Sequence, residues 1–276
     1  GEKTGMIYGF LRSLQAYIIR FQPTYVIVTF DTKQSKSSNF RNNLLGGYKN
    51  HRKNISIDYE SFNYQLKVVR KIVKYLNIPY VWDSKGLGHE SDDYIGYYAK
   101  EHNGKVIILS SDKDFCQLIT DTTKIFNPSK ESIVNIHNCS DIMGYSPEEC
   151  VDYLCLLGDK SDDIPGYYGM GPVKIRKFLD QFGSIENFLS DPSNEFRGID
   201  RDGLYDLYKR NKTLIDLEVA IKEYPLKKIP IRYYKKNTID IEALNRLFIY
   251  YSFQSFRNEA FLEPFYKLKT WHKIEK

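Results

Sequence analysis

An α/β fold with a parallel central sheet and helices on both faces is predicted from three observations. Short apolar, β-branched runs ("YVIVTF", "IPYVW", "KVIILS") alternate with stretches of helical period. The intervening segments are long enough for crossover helices. Acidic residues recur just after these runs, at the strand ends where parallel sheets bind their ligands.

The elements follow in order. "MIYGFLRSLQAYIIRF" places Ile7, Phe10, Leu11, Leu14 and Ile18 on one face, so a helix begins almost at once. "YVIVTFD" reads as a fully buried strand ending at Asp31. "YESFNYQLKVVRKIVKYL" is an amphipathic helix with Phe62, Leu66, Val69, Val73 and Leu76 inward and Lys67, Arg70, Lys71 and Lys74 outward. "IPYVW" is a short strand, and a helix starts at "HESDD". "KVIILS" is another buried strand, followed by a helical "KDFCQLI". In "SPEECVDYLCLLG", Ser146, Pro147 and Glu149 form a capping box and Gly158 ends the helix. The expected division is an α/β core over residues 1–145 and a mostly helical region over 146–276.

The 276 residues, 42% hydrophobic, allow one large core or a main domain with a smaller one appended. No apolar run approaches the roughly 20 residues of a membrane span, and "GEKTGMIYGF" lacks the shape of a signal peptide. Cys116, Cys139, Cys150 and Cys155 show no zinc spacing, so reduced thiols in an intracellular setting are expected. The net charge of +5 says little, but its distribution says more. Residues 32–57 contain no acid, while Lys33, Lys36, Arg41, Lys49, Arg52 and Lys53 are basic, with Phe40 and Tyr48 among them. Such interleaving suits a phosphate backbone with stackable bases. A solvated loop is the plainer alternative.

The carboxylates carry the chemistry. Asp31, Glu90, Asp92, Asp93, Asp112, Asp114, Asp159 and Asp162 fall in four clusters, each at the end of an element or in the loop beside one. Any one of them alone reads as a turn or cap residue. Together they exceed what one structural ion requires and match a site for hard divalent cations, magnesium or manganese. Acids after a helix C-terminus, as at Asp159, Asp162 and Asp163, oppose its dipole, so helix stability does not explain them. Directly beyond, Gly166, Gly169 and Gly171 permit tight turns and close approach, and Pro172 starts a helix carrying Lys174, Arg176 and Lys177. Free amides there form a phosphate site that reads no base sequence.

These residues resemble the 5′-nuclease superfamily: the 5′–3′ exonuclease domain of bacterial DNA polymerase I, the phage 5′-exonucleases and the flap endonucleases. The resemblance runs through "FD" at Asp31, "GGYKNHR" at Gly46–Arg52, "HESDD" at His89–Asp93, "SSDKDFCQLI" at Ser110–Ile119 and "GDKSDDIPGYYGMGPVKI" at Gly158–Ile175. It extends to "DIEALNRLFIYYSFQSF", and so covers nearly the whole chain. It implies a PIN/resolvase-like core with a basic helical arch at about 32–60 and a helix-three-turn-helix at about 158–182. It implies further that Glu90, Asp92, Asp93 and Asp112 hold a first metal or its waters, that Asp114, Asp159 and Asp162 hold a second, and that Asp31 belongs to the same metal site by binding metal-bound water nearby. Lys49 and Arg52 would contact the scissile phosphate beside a stacking Tyr48, and Gly166, Gly169, Gly171 and Lys174 would grip duplex DNA with a bound potassium ion.

The implied activity is structure-specific 5′–3′ exonuclease and flap-endonuclease cleavage in replication or repair. The partners would be DNA with a 5′ end, flap or nick, and a polymerase domain or protein. A monomer in a DNA-containing compartment, with no membrane, is expected. The alternative is a catalytically impaired relative that binds branched or nicked DNA without cutting; the helix-three-turn-helix argues against a PIN-type ribonuclease. Two departures stand out. The family pattern begins with a strand bearing another metal-binding Asp, whereas here a helix begins almost at once, so a longer parent protein is expected. Asp163 stands where bacterial relatives commonly have Asn. His89 reads as a loop residue rather than a ligand, and "IRYYKK" as a DNA contact or a solvated strand end.

Overall fold

The chain's elements alternate as the α/β reading requires. The structure, a computed structural model, describes residues 3–31, 39–50, 58–83, 88–224, 231–233 and 237–269. In chain order these are α1 (Gly5–Phe21), β1 (Val28–Phe30), α2 (Phe40–Leu44), α3 (Tyr59–Tyr75), β2 (Tyr80–Trp82), α4 (Ser91–Glu101) and β3 (Val106–Leu109). A 3₁₀ helix (Lys113–Leu118), β4 (Thr123–Asn127), β5 (Ser132–Val134), α5 (Cys139–Met143), α6 (Cys150–Leu157), β6 (Gly158–Asp159) and β7 (Ile164–Pro165) follow. The rest are α7 (Pro172–Phe182), α8 (Ile185–Ser190), α9 (Arg201–Ile215), α10 (Leu217–Glu223), β8 (Ile231–Arg232), α11 (Ile241–Tyr250), a second 3₁₀ helix (Gln254–Phe256) and α12 (Glu259–Tyr266). No helix among the described residues is long and apolar enough to cross a membrane.

Two compact units share these elements, and they do not follow chain order: residues 1–32, 55–84 and 229–276 form one, 33–54 and 85–228 the other. This differs from a division near residue 145, because α11 and α12 complete the core of α1 and α3. In that first unit Ile7, Leu11, Leu14 and Ile18 of α1 are buried as their spacing predicts. On α3 the buried stripe is Gln65, Val68, Val69, Ile72 and Val73, while Phe62 is exposed. The face is rotated from the expected one, and Gln65 is tolerated inside because its Oε1 accepts the Met6 amide at 3.0 Å. Strands β1 and β2 pair in parallel, and β8 adds antiparallel to β2. "IRYYKK" therefore begins as a paired strand; Tyr234–Lys236 lie outside the described residues. β1 is only half-buried at Val28 and Thr29.

In the second unit β3 and β4 pair in parallel and β5 returns antiparallel. β3 buries Ile108 but exposes Ile107 and Leu109, so its apolar run is covered on one face only. Helices α6, α7, α8 and α9 pack through Leu154, Cys155, Ile175, Phe178, Phe188 and Leu204, all essentially inaccessible. Ser146 and Glu149 make the reciprocal capping bonds at 2.9 and 3.4 Å, with regular α-helix starting one turn later. Arg176 clamps Glu149 through two guanidinium nitrogens, so this cation of α7 is structural.

Between α6 and α7 the chain folds back through the two-residue ladder β6–β7. A Cβ on Gly166 would stand 2.3 Å from the carbonyl carbon and oxygen of Leu157. Gly166 is therefore an internal packing residue: its missing side chain serves the approach of two backbones within the protein. Gly166→Ala is expected to cost about 2–3 kcal/mol in urea denaturation. A variant as stable as its parent would refute this account of the crossing.

Candidate functional site

Three segments of the second unit deliver acids to one place. Glu90, Asp92 and Asp93 stand at the start of α4, where the helix dipole favours negative charge. Asp112 caps the 3₁₀ helix after β3, accepting the Asp114 amide at 3.0 Å. Asp159 ends β6 and Asp162 lies in the turn beyond it, with Asp163 at φ 57° completing that turn. Glu90, Asp92, Asp114, Asp162, Tyr48 and Arg41 line a cavity of about 20 Å³, room for one water or ion.

The electrostatics are those of a site short of positive charge. Burial, and then the neighbouring Asp112, Asp159 and Asp162, push the Asp114 carboxyl well above the usual carboxylate range. Its Oδ1 is buried with no hydrogen-bond partner. Burial also opposes ionisation of Glu90 and Asp159, but cations and donors outweigh it. Arg41 and Lys49 hold Glu90 below its ordinary value, and the Ser161 hydroxyl and Lys113 do the same for Asp159. Ion pairs among the described residues include Lys49 Nζ to Glu90 at 2.6 Å and to Asp162 at 3.4 Å, and Lys113 Nζ to Asp159 at 3.4 Å.

Among the described residues, no three His, Cys, Asp or Glu side chains enclose an ion in this geometry. The donor chemistry nevertheless fits a hard divalent cation: oxygen ligands only, and one buried carboxylate oxygen unsatisfied.

Asp93 has a different role from its neighbours. Both its oxygens take the Arg41 guanidinium, at 2.7 and 2.9 Å, and its Oδ2 also accepts the Glu90 amide at 2.9 Å. Arg41 and Asp93 are almost wholly buried, and Arg41 Nε donates to the Leu214 carbonyl at 3.2 Å. Asp93, expected as a metal ligand, has its carboxylate engaged by Arg41 in this geometry and orders the start of α4. His89 is buried, its Nδ1 3.5 Å from Asp93, as befits a packed loop residue.

The described part of the basic segment, Asn39–Asn50, is built onto this cluster. Asn39 caps α2 and donates to Glu90 Oε1 at 3.1 Å. Tyr48 is buried, its hydroxyl shared between Glu90 Oε2 at 3.0 Å and Asp162 Oδ2 at 3.1 Å. It is therefore packed inward, not presented for stacking on a base. Lys49 adopts φ 54°, its amide bonded to the Asp162 carbonyl at 3.0 Å. Arg52, with Lys33, Lys36 and Lys53, lies outside the described residues. Asp31 follows β1 in the first unit and is exposed.

In the glycine motif, Gly169 has φ +77° and Gly171 caps α7, with open space where a Cβ would lie at either position. Pro172 occupies the first helical turn. Lys174 is half-buried, its ammonium passing over Gly198. Tyr168 projects beside this turn, 96% exposed.

Sequence reading passed over three residues. Lys113, between Asp112 and Asp114 in sequence, pairs with the distant Asp159. Ser161 orders Asp159 through its amide and hydroxyl, both at 2.7 Å, a local Asx turn that the pattern Asp159–Lys160–Ser161 could have signalled. Arg41 was read only as part of a basic run.

Residues 1–144 match the family model described as the 5′–3′ exonuclease N-terminal resolvase-like domain. The 5′–3′ exonuclease of Aquifex aeolicus (strain VF5) is 32% identical over 233 residues, covering 82% of this chain and 78% of that protein. The thermostable DNA polymerase I of Thermus filiformis is 32% identical over 252 residues, covering 88% of this chain and 28% of the polymerase. In fold, the chain is similar to the flap endonuclease of bacteriophage T5 in its pseudo-enzyme–product complex with DNA and metal ions. That likeness has a TM-score of 0.67 at 18% identity and covers 97% of this chain and 90% of that one. With the family model spanning the first half and relatives extending through the carboxylate and glycine motifs, the chain belongs to the 5′–3′ exonuclease family of the 5′-nuclease superfamily.

Proposed function

We propose that this chain is a divalent-metal-dependent nuclease that hydrolyses DNA phosphodiester bonds at 5′ ends, flaps and nicks in replication or repair. The observation that carries this reading is the meeting of Glu90, Asp92, Asp114 and Asp162 around one ion-sized cavity, with an orphaned oxygen on Asp114. By the family resemblance, Glu90, Asp92 and Asp112 would hold one magnesium or manganese ion or its waters, and Asp114, Asp159 and Asp162 a second. When bound, such ions supply charge that activates water and stabilises the leaving oxygen.

The chain's own residues do the rest. Tyr48 orients Glu90 and Asp162. Lys49 stands beside these carboxylates, where its charge can offset that growing on the phosphate, and the family resemblance gives Arg52 the same role. The amides at the start of α7, with Lys174, hold the duplex backbone irrespective of sequence, and a potassium ion at that turn belongs to the same proposal. A relative that carries such a domain within a DNA polymerase I supports a polymerase as neighbour or partner.

The test is cleavage of a 5′-labelled flap and of a nicked duplex with magnesium, manganese or chelator, beside Asp112→Asn. Metal-dependent products that are lost in the variant are expected. Salt-sensitive binding to the same flap without any product would make the chain a binder that does not cut.

A further inference from the structure

We infer that Lys49 is a built-in counter-ion of the metal centre: its ammonium neutralises Glu90 and Asp162 until a divalent cation displaces it, so metal entry and release of Lys49 are one event. This rests on the reading of these carboxylates as metal ligands. Lys49 Nζ lies 2.6 Å from Glu90 Oε2 and 3.4 Å from Asp162 Oδ2. Those same two oxygens share the Tyr48 hydroxyl, so one pair of donors ties them together. An ammonium on these oxygens competes with a divalent cation for them, because the two positive charges repel across a site largely withdrawn from water.

Among the described residues, Arg41 and Lys113, the other cations paired with acids of the cluster, leave this position to Lys49. Arg41 is committed to Asp93, and Lys113 faces Asp159. The backbone shows that the arrangement is held from below. Lys49 sits at φ 54°, unusual for a residue with a side chain, and its amide is bonded to the Asp162 carbonyl at 3.0 Å. When the ammonium leaves the carboxylates, this bond keeps the residue beside the centre, where the side chain can swing toward an arriving anion.

The consequence is an order of events. In the metal-free protein the charge of Lys49 is spent on Glu90 and Asp162 and attracts no phosphate. With a cation in its place, Lys49 would be free to meet the phosphate.

The test uses the whole chain without DNA. Mn²⁺ binding is followed by the electron paramagnetic resonance signal of free Mn²⁺ for the parent, Lys49→Gln and the control Lys174→Gln. Lys49→Gln is expected to bind about tenfold more tightly, and Lys174→Gln like the parent. In a second arm on the parent chain, acylation of Lys49 by an N-hydroxysuccinimide ester, mapped by mass spectrometry, should rise severalfold when Mn²⁺ is added, with Lys174 unchanged.

Equal or weaker binding by Lys49→Gln, with the parent binding normally, overturns the inference and leaves the metal centre standing. Unchanged labelling of Lys49 does the same, and needs no variant to fold. Failure of every chain to bind Mn²⁺ at millimolar concentration overturns the metal centre and this inference together.

Discussion

Asp114→Asn abolishes metal-dependent cleavage and at the same time raises the melting temperature of the metal-free protein. The loss of activity is expected to reach at least about 10²–10³-fold, the size seen when one group that stabilises transition-state charge is removed. The gain in stability follows from the sign of the pKa shift. Burial and three neighbouring acids hold the Asp114 pKa well above its ordinary value, so the folded chain disfavours the ionised form. Its destabilising effect is absent at acidic pH, sets in above the ordinary carboxylate pKa of about 3.9 and is complete above the raised folded value.

At neutral pH the amide removes that effect, for a gain on the order of 1 kcal/mol, or about 2–4 °C in a protein of this size. Added Mn²⁺ should raise the melting temperature of the parent by mass action and move the variant less. A variant that cleaves at the parental rate, or melts lower without metal, would refute this account.

The second large effect concerns folding. Arg41→Met leaves the Asp93 carboxylate buried without its partner and should cost about 3–5 kcal/mol. Asp93→Asn should be nearly as damaging, since it strips the Arg41 guanidinium of its bidentate acceptor. A double variant, Arg41→Met with Asp93→Leu, should recover much of the loss, because an apolar pair leaves no buried charge.

The pH dependence has the opposite sign from Asp114. Burial opposes ionisation of Asp93, but Arg41, His89 and the Glu90 amide outweigh it and hold the carboxyl well below its ordinary value. Its contribution is therefore present above the unfolded pKa of about 3.9 and lost as pH falls from there through the depressed folded value. Urea midpoints of the parent and Asp93→Asn should thus converge in strong acid. Parallel curves down to pH 2 would show that the pair does not carry this stability.

Much of this was legible from local pattern. The inward face of α1 follows from helical spacing, and the start of α7 from glycine and proline at its first positions. Reading failed where an outcome depended on a partner far along the chain. Asp92 and Asp93 are adjacent and chemically alike, yet one lines the cavity and the other is consumed by Arg41, 52 positions away. The rotated face of α3 has the same origin: Gln65 is accepted inside only because the Met6 amide, 59 residues distant, meets it.

By itself the sequence determined the α/β class, the acidic segments beside strand and helix ends, the turn at Gly158–Gly171 and the family, because each rests on spacing within a short window. Only the tertiary structure decided which acids face one another, that Tyr48 and Lys49 lie across Glu90 and Asp162, and that α11 and α12 join α1 and α3. Charge and burial act through space. A carboxylate therefore becomes a ligand, a cap or half of a salt bridge according to what folding brings within a few ångströms of it.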